Sequence, residues 1–152
     1  MLRNLLPVLA VTVPFTSFAD ESLCVDAAQI TFETKNDDKD ADTRVWAALL
    51  RSGDGAEMGR TAKIAGHFDD NTSNGPYNFN IVETRARGTS SCALPYAVVV
   101  HMEPNGNDTW IFSIYVRYRT QSGQILEGRT ADFRLRQDHK EENRLVNFSP
   151  AK

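Results

Sequence analysis

Short runs of alternating apolar and polar residues constrain this fold more than any other feature of the sequence. The clearest run has apolar residues at every second position, namely Trp110, Phe112, Ile114, Val116 and Tyr118. Alternation with a period of two puts one face of a strand in a core and the other in solvent. No segment after residue 19 sustains the 3.6-residue period of an amphipathic helix beyond about two turns. The sequence therefore predicts an all-β protein.

Turn-rich segments separate these runs at intervals of about 8 to 15 residues. The run at 45–50 is apolar at both parities and also fits a short helix, but its length and its flanking turns favour a strand. We expect strands at 28–32, 45–50, 61–68, 77–82, 96–102, 110–118, 131–136 and 145–148, with loops at 69–76 and 137–143. About eight short strands without helices are typical of a single antiparallel β-sandwich.

The first 19 residues have the composition of a secretory signal peptide. Arg3 supplies a positive charge, 5–15 is apolar, and 17–19 has the small residues of a cleavage site. A membrane anchor is the alternative, but the apolar run is shorter than the roughly 20 residues that span a bilayer. We expect residues 1–19 to be removed and 20–152 to form one β-sandwich domain. That domain would be periplasmic or secreted and would have no transmembrane segment.

The chain contains two cysteines, Cys24 and Cys92. In an exported chain an even number of cysteines favours a disulfide. The alternative is a catalytic thiol, but no histidine lies near either cysteine in the sequence, and one nucleophile would leave the other cysteine unexplained. We therefore predict one disulfide between them.

Acidic residues concentrate in alternate turns. If consecutive strands are antiparallel, odd-numbered turns lie at one end of the fold and even-numbered turns at the other. The odd-numbered turns carry Asp37, Asp38, Asp40, Asp42, Asp69, Asp70, Asp108, Asp138, Glu141 and Glu142. Both cysteines fall at the opposite end, as their disulfide requires. The sequence thus predicts one end crowded with carboxylates.

Crowded carboxylates repel by about 1 kcal/mol per pair even in water. A solvated acidic turn is the simpler interpretation of the first turn alone, but a divalent cation would neutralise the whole group. A hard set of oxygen ligands suits calcium better than zinc. We expect calcium as the cofactor, held by Asp37, Asp38, Asp40, Asp42, Asp69, Asp70 and Asp108.

Loop aspartates at one end of a β-sandwich resemble the calcium sites of C2 and PLAT modules. The resemblance is architectural and covers about residues 25–148. It implies that the first calcium loop contains Asp38, Asp40 and Asp42, and that Asp69 and Asp70 belong to the facing loop. It also implies calcium-dependent binding to an anionic lipid or a polysaccharide surface.

Two pairs of arginines form a second candidate site. Arg117 and Arg119 share an outward parity on one expected strand, and Arg134 and Arg136 on another. If those strands are neighbours, the four could bind phosphate or acidic sugars. The alternative is a solvated strand face. His67, two residues before Asp69, could join the metal loop, although an ordinary surface imidazole is the simpler interpretation.

No sequence motif of a known catalytic site is present, so we do not expect an enzyme. Without Arg3 the chain has 16 Lys and Arg against 20 Asp and Glu, and this net charge of −4 makes nucleic acid an unlikely partner. The preferred function is an exported calcium-binding module for an anionic or carbohydrate-bearing surface. The alternative is a metal-free structural domain whose acidic loops contact another exported protein. A third candidate is a small hydrolase with an unrecognised site.

Overall fold

The computed structural model describes residues 24–85, 92–105 and 108–152, and the expected signal peptide lies outside them. The described residues form strands and no helix, which confirms the all-β prediction. None of them belongs to a helix long and apolar enough to cross a membrane. The strands are β1 (Val25–Thr34), β2 (Arg44–Arg51), β3 (Glu57–Thr61), β4 (Ser73–Ile81), β5 (Pro95–Glu103), β6 (Thr109–Thr120), β7 (Ile125–Arg129), β8 (Phe133–Arg136), β9 (Glu141–Leu145) and β10 (Ser149–Pro150).

Antiparallel pairing links these strands into one curled sheet. The hydrogen-bonded order is β10-β7-β6-β1-β4-β3-β2-β5-β9, and β8 pairs with β6 beside this path. β4 joins the two halves because its first part pairs with β1 and its last three residues pair with β3. The structure therefore shows an antiparallel β-fold shaped like half a barrel, without the clear division into two sheets that a sandwich requires.

The concave side of the sheet holds one hydrophobic core. An aromatic cluster at its centre joins β1 to β6, with the Phe32 and Trp110 ring centroids 5.3 Å apart and those of Trp110 and Phe112 3.7 Å apart. The Trp110 indole N–H donates to Thr34 Oγ1 at 3.2 Å, so its polar group is satisfied inside the core. Val45, Leu49 and their neighbours on β5 pack against the cluster from the other half. The alternating apolar positions of the sequence thus become one buried surface.

The third strand lies earlier than the sequence predicts. β3 ends at Thr61, and residues 62–68 form a loop instead of a strand. The apolar alternation there has a different cause. Ile64 and Phe68 each form a single β-bridge, to Val45 and to Lys39 respectively, and their side chains are buried in the core. Two buried side chains in this loop therefore give the sequence the same alternation as a strand.

The fourth strand begins inside the segment that we expected to be loop. Its register against β1 shifts between Ile30 and Phe32, where β4 carries an extra residue. Gly75 lies at this bulge with a φ of +132°, and a Cβ there would lie 2.9 Å from the Ile30 carbonyl oxygen. Glycine is therefore part of how this strand pairs, although in the sequence it indicates a turn.

The last part of the chain also differs from the prediction. The strand predicted at 131–136 is present as β8, but residues 146–148 of the strand predicted at 145–148 are not in a strand. The structure also has β7 and β10, which were not predicted, and β9, which begins within the loop predicted at 137–143. β7 and β8 pair with successive parts of β6 and run in the same direction. Together they act as one interrupted strand, so the turn that contains Asp138 still lies at the acidic end. Glu141 and Glu142 belong to β9 and not to a turn.

The predicted disulfide is present. Cys24 and Cys92 are bonded, with their Cα atoms 5.1 Å apart. The main-chain N–H of Gln121, just after β6, donates to the Cys24 carbonyl at 2.8 Å, so the bond lies at the end where β6 finishes. A disulfide fits an oxidising environment such as that of exported proteins.

Replacing both cysteines, Cys24→Ser with Cys92→Ser, should lower the free energy of unfolding by about 4 kcal/mol, because the bond closes a long loop of the unfolded chain. The two cysteines are 68 positions apart in the sequence. Urea denaturation of the wild type and the double variant measures the difference. Thiol labelling of the unfolded, unreduced protein should find no free thiol, and two titratable thiols would contradict the bond.

Arg51 and Asp54 form an ion pair at the same end of the fold as the disulfide. Arg51 Nε donates to Asp54 Oδ1 at 2.8 Å, and its Nη1 donates to the Arg85 carbonyl at 2.5 Å. The hydrogen bond from Arg51, aided by the Ala56 N–H, lowers the pKa of Asp54 to about 2. The stability that this carboxylate contributes is complete above its unfolded pKa of about 4 and is lost as the pH falls towards 2.

The stability difference between the wild type and Asp54→Asn should therefore be constant above about pH 5 and shrink between about pH 4 and pH 2. Urea denaturation at a series of pH values measures it. A difference that stays the same down to pH 2 would show that the Asp54 charge does not stabilise the fold.

Candidate functional site

Three loops meet at the end of the fold opposite the disulfide. The first loop is 35–43 and the second is 62–72, and the structure describes residues 104, 105 and 108 of the third. Lys39 and Phe68 exchange main-chain hydrogen bonds of 3.2 and 3.0 Å, which joins the first loop to the second. Asn105 Nδ2 donates to Asp42 Oδ2 at 2.7 Å, which joins the first to the third. The turns that the sequence places at one end do lie together.

A buried ammonium group occupies the centre of these loops. The Lys39 side chain is fully buried, and its Nζ donates to the carbonyl oxygens of Asp40 at 3.0 Å and Thr43 at 2.7 Å, and to that of Gly66. The same Nζ lies 4.6 Å from the centroid of the Phe68 ring. An ammonium has three N–H donors, so the three carbonyls satisfy it completely. Lys39 thus takes the place among loop carbonyls that a bound cation would take.

Asp108 provides a buried negative charge near this ammonium. Burial raises the pKa of Asp108, while hydrogen bonds from the Thr43 side chain and the Asp40 main chain oppose the rise. Burial likewise lowers the pKa of Lys39, and Asp108 is the leading carboxylate that opposes it. Asp108 Oδ2 is buried without a hydrogen-bond partner in the described part of the chain. The sequence predicts Asp108 as a metal ligand, but the structure places it beneath the loops beside Lys39.

An exposed cluster lies on the outer side of Lys39. His67 Nε2 is 3.2 Å from Asp38 Oδ2 and 3.1 Å from Asp69 Oδ1. One donor atom each from Asp38, Asp40 and His67 lie within 4.8 Å of one another. These side chains come from two loops that the Lys39–Phe68 bridge holds in contact. We call Asp38, Asp40 and His67 the outer cluster.

The remaining predicted ligands do not belong to the outer cluster. Asp37 joins the first loop to β6 through its main-chain carbonyl, which accepts from the Ile111 N–H at 3.2 Å. Asp42 accepts the hydrogen bond from Asn105, and Asp70 is exposed with no side-chain contact among the described residues. Asp69 is the only one of the other predicted ligands in the described chain with a side-chain contact to the cluster. Of the seven expected ligands, Asp38 and Asp40 therefore lie together in the outer cluster, and Asp69 is beside it.

The donor set of the outer cluster differs from the one that the sequence predicts. Two carboxylates and an imidazole suit a transition metal such as zinc or manganese, whereas calcium prefers oxygen ligands alone. His67 was a weaker candidate in the sequence because nothing there fixes its orientation. The sequence feature that indicates His67 as a ligand is its position two residues before Asp69, in a loop expected to face the first turn.

The four arginines do not form one patch. Arg117 lies opposite Gln29 on β1, whereas Arg134 lies opposite Ile111 on β6. Positions 111 and 117 are about 20 Å apart along the strand. Arg119 pairs with Asp26, and Arg136 Nε lies 2.7 Å from Asp138. The structure thus separates the pairs into two surfaces.

No protein-family model matches the chain, and no curated protein has a significant match to it. A function is therefore inferred from the geometry of the chain's own side chains.

Replacing the buried ammonium, Lys39→Met, should lower the free energy of unfolding by roughly 3 to 5 kcal/mol. The variant keeps the apolar stem but leaves three carbonyls without donors and Asp108 without its neighbouring positive charge. Urea denaturation of both proteins gives the difference.

The matched control is Lys63→Met, which removes an exposed lysine that pairs with Glu103. This change should alter stability by no more than about 1 kcal/mol, as expected of a surface ion pair. Equal effects of the two substitutions would show that Lys39 does not organise the loops.

Proposed function

We propose that the protein is an exported binding module that holds a divalent cation at Asp38, Asp40 and His67. The observation that carries this proposal is the convergence of the three donor atoms within 4.8 Å. Asp69 is 3.1 Å from the same imidazole nitrogen and is available as a further ligand. The disulfide supports an exported location.

The exposure of the cluster supports a binding role. His67 and Asp38 have 43 % and 47 % of their side-chain surface exposed, so solvent reaches one side of the cluster. Three protein ligands would leave coordination positions open on that side. A carboxylate or phosphate oxygen of a partner could fill them, which fits a module for an anionic or carbohydrate-bearing surface. A β-sandwich of the C2 or PLAT type would present its ligand site in the same manner.

The choice of ion follows from the ligands. Calcium is the ion that the acidic loops predict, but the imidazole favours zinc or manganese over calcium. Asp38, Asp40 and His67 would hold the ion, and the ion would supply the positive charge that attracts an anionic group. Lys39 would remain beneath it and keep the loops in place.

Thermal melting of chelator-stripped protein tests the site. Zinc or manganese at about a hundredfold excess over the Kd should stabilise the folded state by about 2.7 kcal/mol. For a domain of this size the melting temperature should rise by roughly 10 °C. Calcium should give a smaller rise, and a larger rise with calcium would favour an all-oxygen site instead.

His67→Gln should abolish most of the zinc-induced rise, because it removes the only imidazole of the cluster. Asp132→Asn is the matched control, since this aspartate is exposed on the segment between β7 and β8, away from the three loops. The control should retain the full rise. A melting temperature that no divalent ion changes would reject the metal site.

One observation favours the alternative, a metal-free domain whose acidic loops contact another exported protein. The Lys39 ammonium already donates hydrogen bonds to the carbonyls at the centre of the loops, and its positive charge offsets that of the nearby carboxylates. The exposed carboxylates of Asp38, Asp40 and Asp69 would then be free to pair with basic residues of a partner. The same melting experiment separates the two functions.

A further inference from the structure

We propose that the convex face of β1, β6 and β7 binds a carboxylate-bearing saccharide, with the Arg117 guanidinium holding the carboxylate. This site lies on the solvent side of the sheet and does not depend on the metal proposed above. The proposal follows from a row of polar side chains that crosses the strands.

Strand register places this row on one face of the sheet. Gln29 on β1 lies opposite Asn78 on β4 and opposite Arg117 on β6, and Arg117 lies opposite Glu127 on β7. Directly opposed residues of antiparallel strands share a face. Their neighbours Ile30, Val116 and Tyr118 are buried, so the row faces solvent. Neighbouring strands are about 4.8 Å apart, which gives a row about 14 Å long across four strands.

Arg117 is distinct among the cations of this face. Arg119 donates to Asp26 Oδ2 at 2.8 Å, and Arg129 is paired with Glu33. Arg117 is exposed and has no hydrogen bond or ion pair with any residue that the structure describes. A free guanidinium presents a planar fork of donors that fits a carboxylate through two parallel hydrogen bonds.

A depression in the surface lies beside this guanidinium. It measures about 290 Å³ and is lined mainly by Ala27, Gln29, Arg117, Arg119 and Ile125. Ala27 has a small side chain, and the Arg119 guanidinium is held by its ion pair with Asp26. A sugar ring can therefore enter beside Arg117 without displacing an ion pair.

The rest of the row favours a saccharide over an acidic peptide. Gln29 Nε2 donates to Asn78 Oδ1 at 2.9 Å, which leaves a carbonyl oxygen of one amide and an NH₂ group of the other for hydroxyl groups. Glu127 accepts a hydrogen bond from Tyr115, and its second oxygen can accept another. Glu127 repels a carboxylate placed directly beside it, but its second oxygen can accept hydrogen bonds from sugar hydroxyls, which an acidic peptide does not supply. Charge complementarity therefore selects a ligand with both carboxylates and hydroxyls.

Titration with tetragalacturonate at 150 mM salt tests the proposal. A chelator is present throughout, so the outcome is independent of any ion at the loops. Calorimetry gives the Kd, and NMR of the ¹⁵N-labelled protein should show shifts centred on Gln29 and Arg117 and not on the outer cluster. Arg117→Gln should raise the Kd by about 10- to 100-fold, the loss expected for a charge-assisted hydrogen bond.

Arg134→Gln is the matched control, because Arg134 is also exposed but lies beside the other half of β6. It should leave the Kd unchanged. The methyl-esterified tetrasaccharide, which lacks the carboxylates, should bind at least tenfold more weakly. The proposal is overturned if Arg117→Gln has no effect, if esterification has no effect, or if tetraglutamate binds as tightly as the saccharide.

Discussion

The loop end of this protein depends on the burial of one ammonium group. Lys39 lies where the first and second loops meet, and carbonyl oxygens of these two loops accept its three hydrogen bonds. Without a cation at this point, the carbonyls of Asp40, Thr43 and Gly66 would converge in a buried space with no donor. Buried polar groups without partners destabilise a fold strongly, so the loops and the ammonium require each other. The first loop therefore carries its own cation.

This internal cation changes how the acidic turns can function. The Asp108 carboxyl group is buried beneath the loops and faces inward. The carboxylates on the far side, Asp38 and Asp40, are turned towards His67 and solvent. The loops are therefore held in one arrangement before any metal binds, and a preorganised site binds an ion without first having to order its ligands. Removing a metal from this cluster should therefore leave the loops folded.

The two proposed sites lie in different parts of the molecule and use opposite charge. The outer cluster is acidic and lies at the loop end, whereas Arg117 lies on the convex face, nearer to the disulfide end. The structure keeps them apart because β6 runs from the loops to the disulfide end, and position 117 is most of the way along it.

Local pattern was sufficient for much of the fold. The spacing of apolar residues predicted β6, and the order of the turns predicted which of them share an end of the fold. The disulfide followed from two cysteines in a chain expected to be exported. The failures have tertiary causes. The 62–68 segment alternates because the loop anchors Ile64 and Phe68 in the core, and β4 pairs through Gly75 because its backbone tolerates a positive φ. β7 was hard to predict because it is short and shares its partner strand, β6, with β8.

The candidate site, like the fold, could be predicted from the sequence only in part, because some of its contacts form between distant parts of the chain. The numbering of the turns predicted that the acidic turns share one end of the fold. It did not indicate that the Lys39 side chain is buried while those of Asp38 and Asp40 reach solvent. A lysine between two aspartates is expected in solvent, since lysine is rarely buried without partners. Its partners here are carbonyls from two loops, and Gly66 is 27 positions away in the sequence. Such a contact exists only after the loops have come together.

Anomalous diffraction from a crystal soaked in manganese would test the central claim directly. The account predicts an ion beside His67 Nε2 and the Asp38 carboxylate, with the Lys39 ammonium still bonded to the carbonyls of Thr43 and Gly66. An ion lying among those carbonyls, with the Lys39 side chain turned out into solvent, would contradict it.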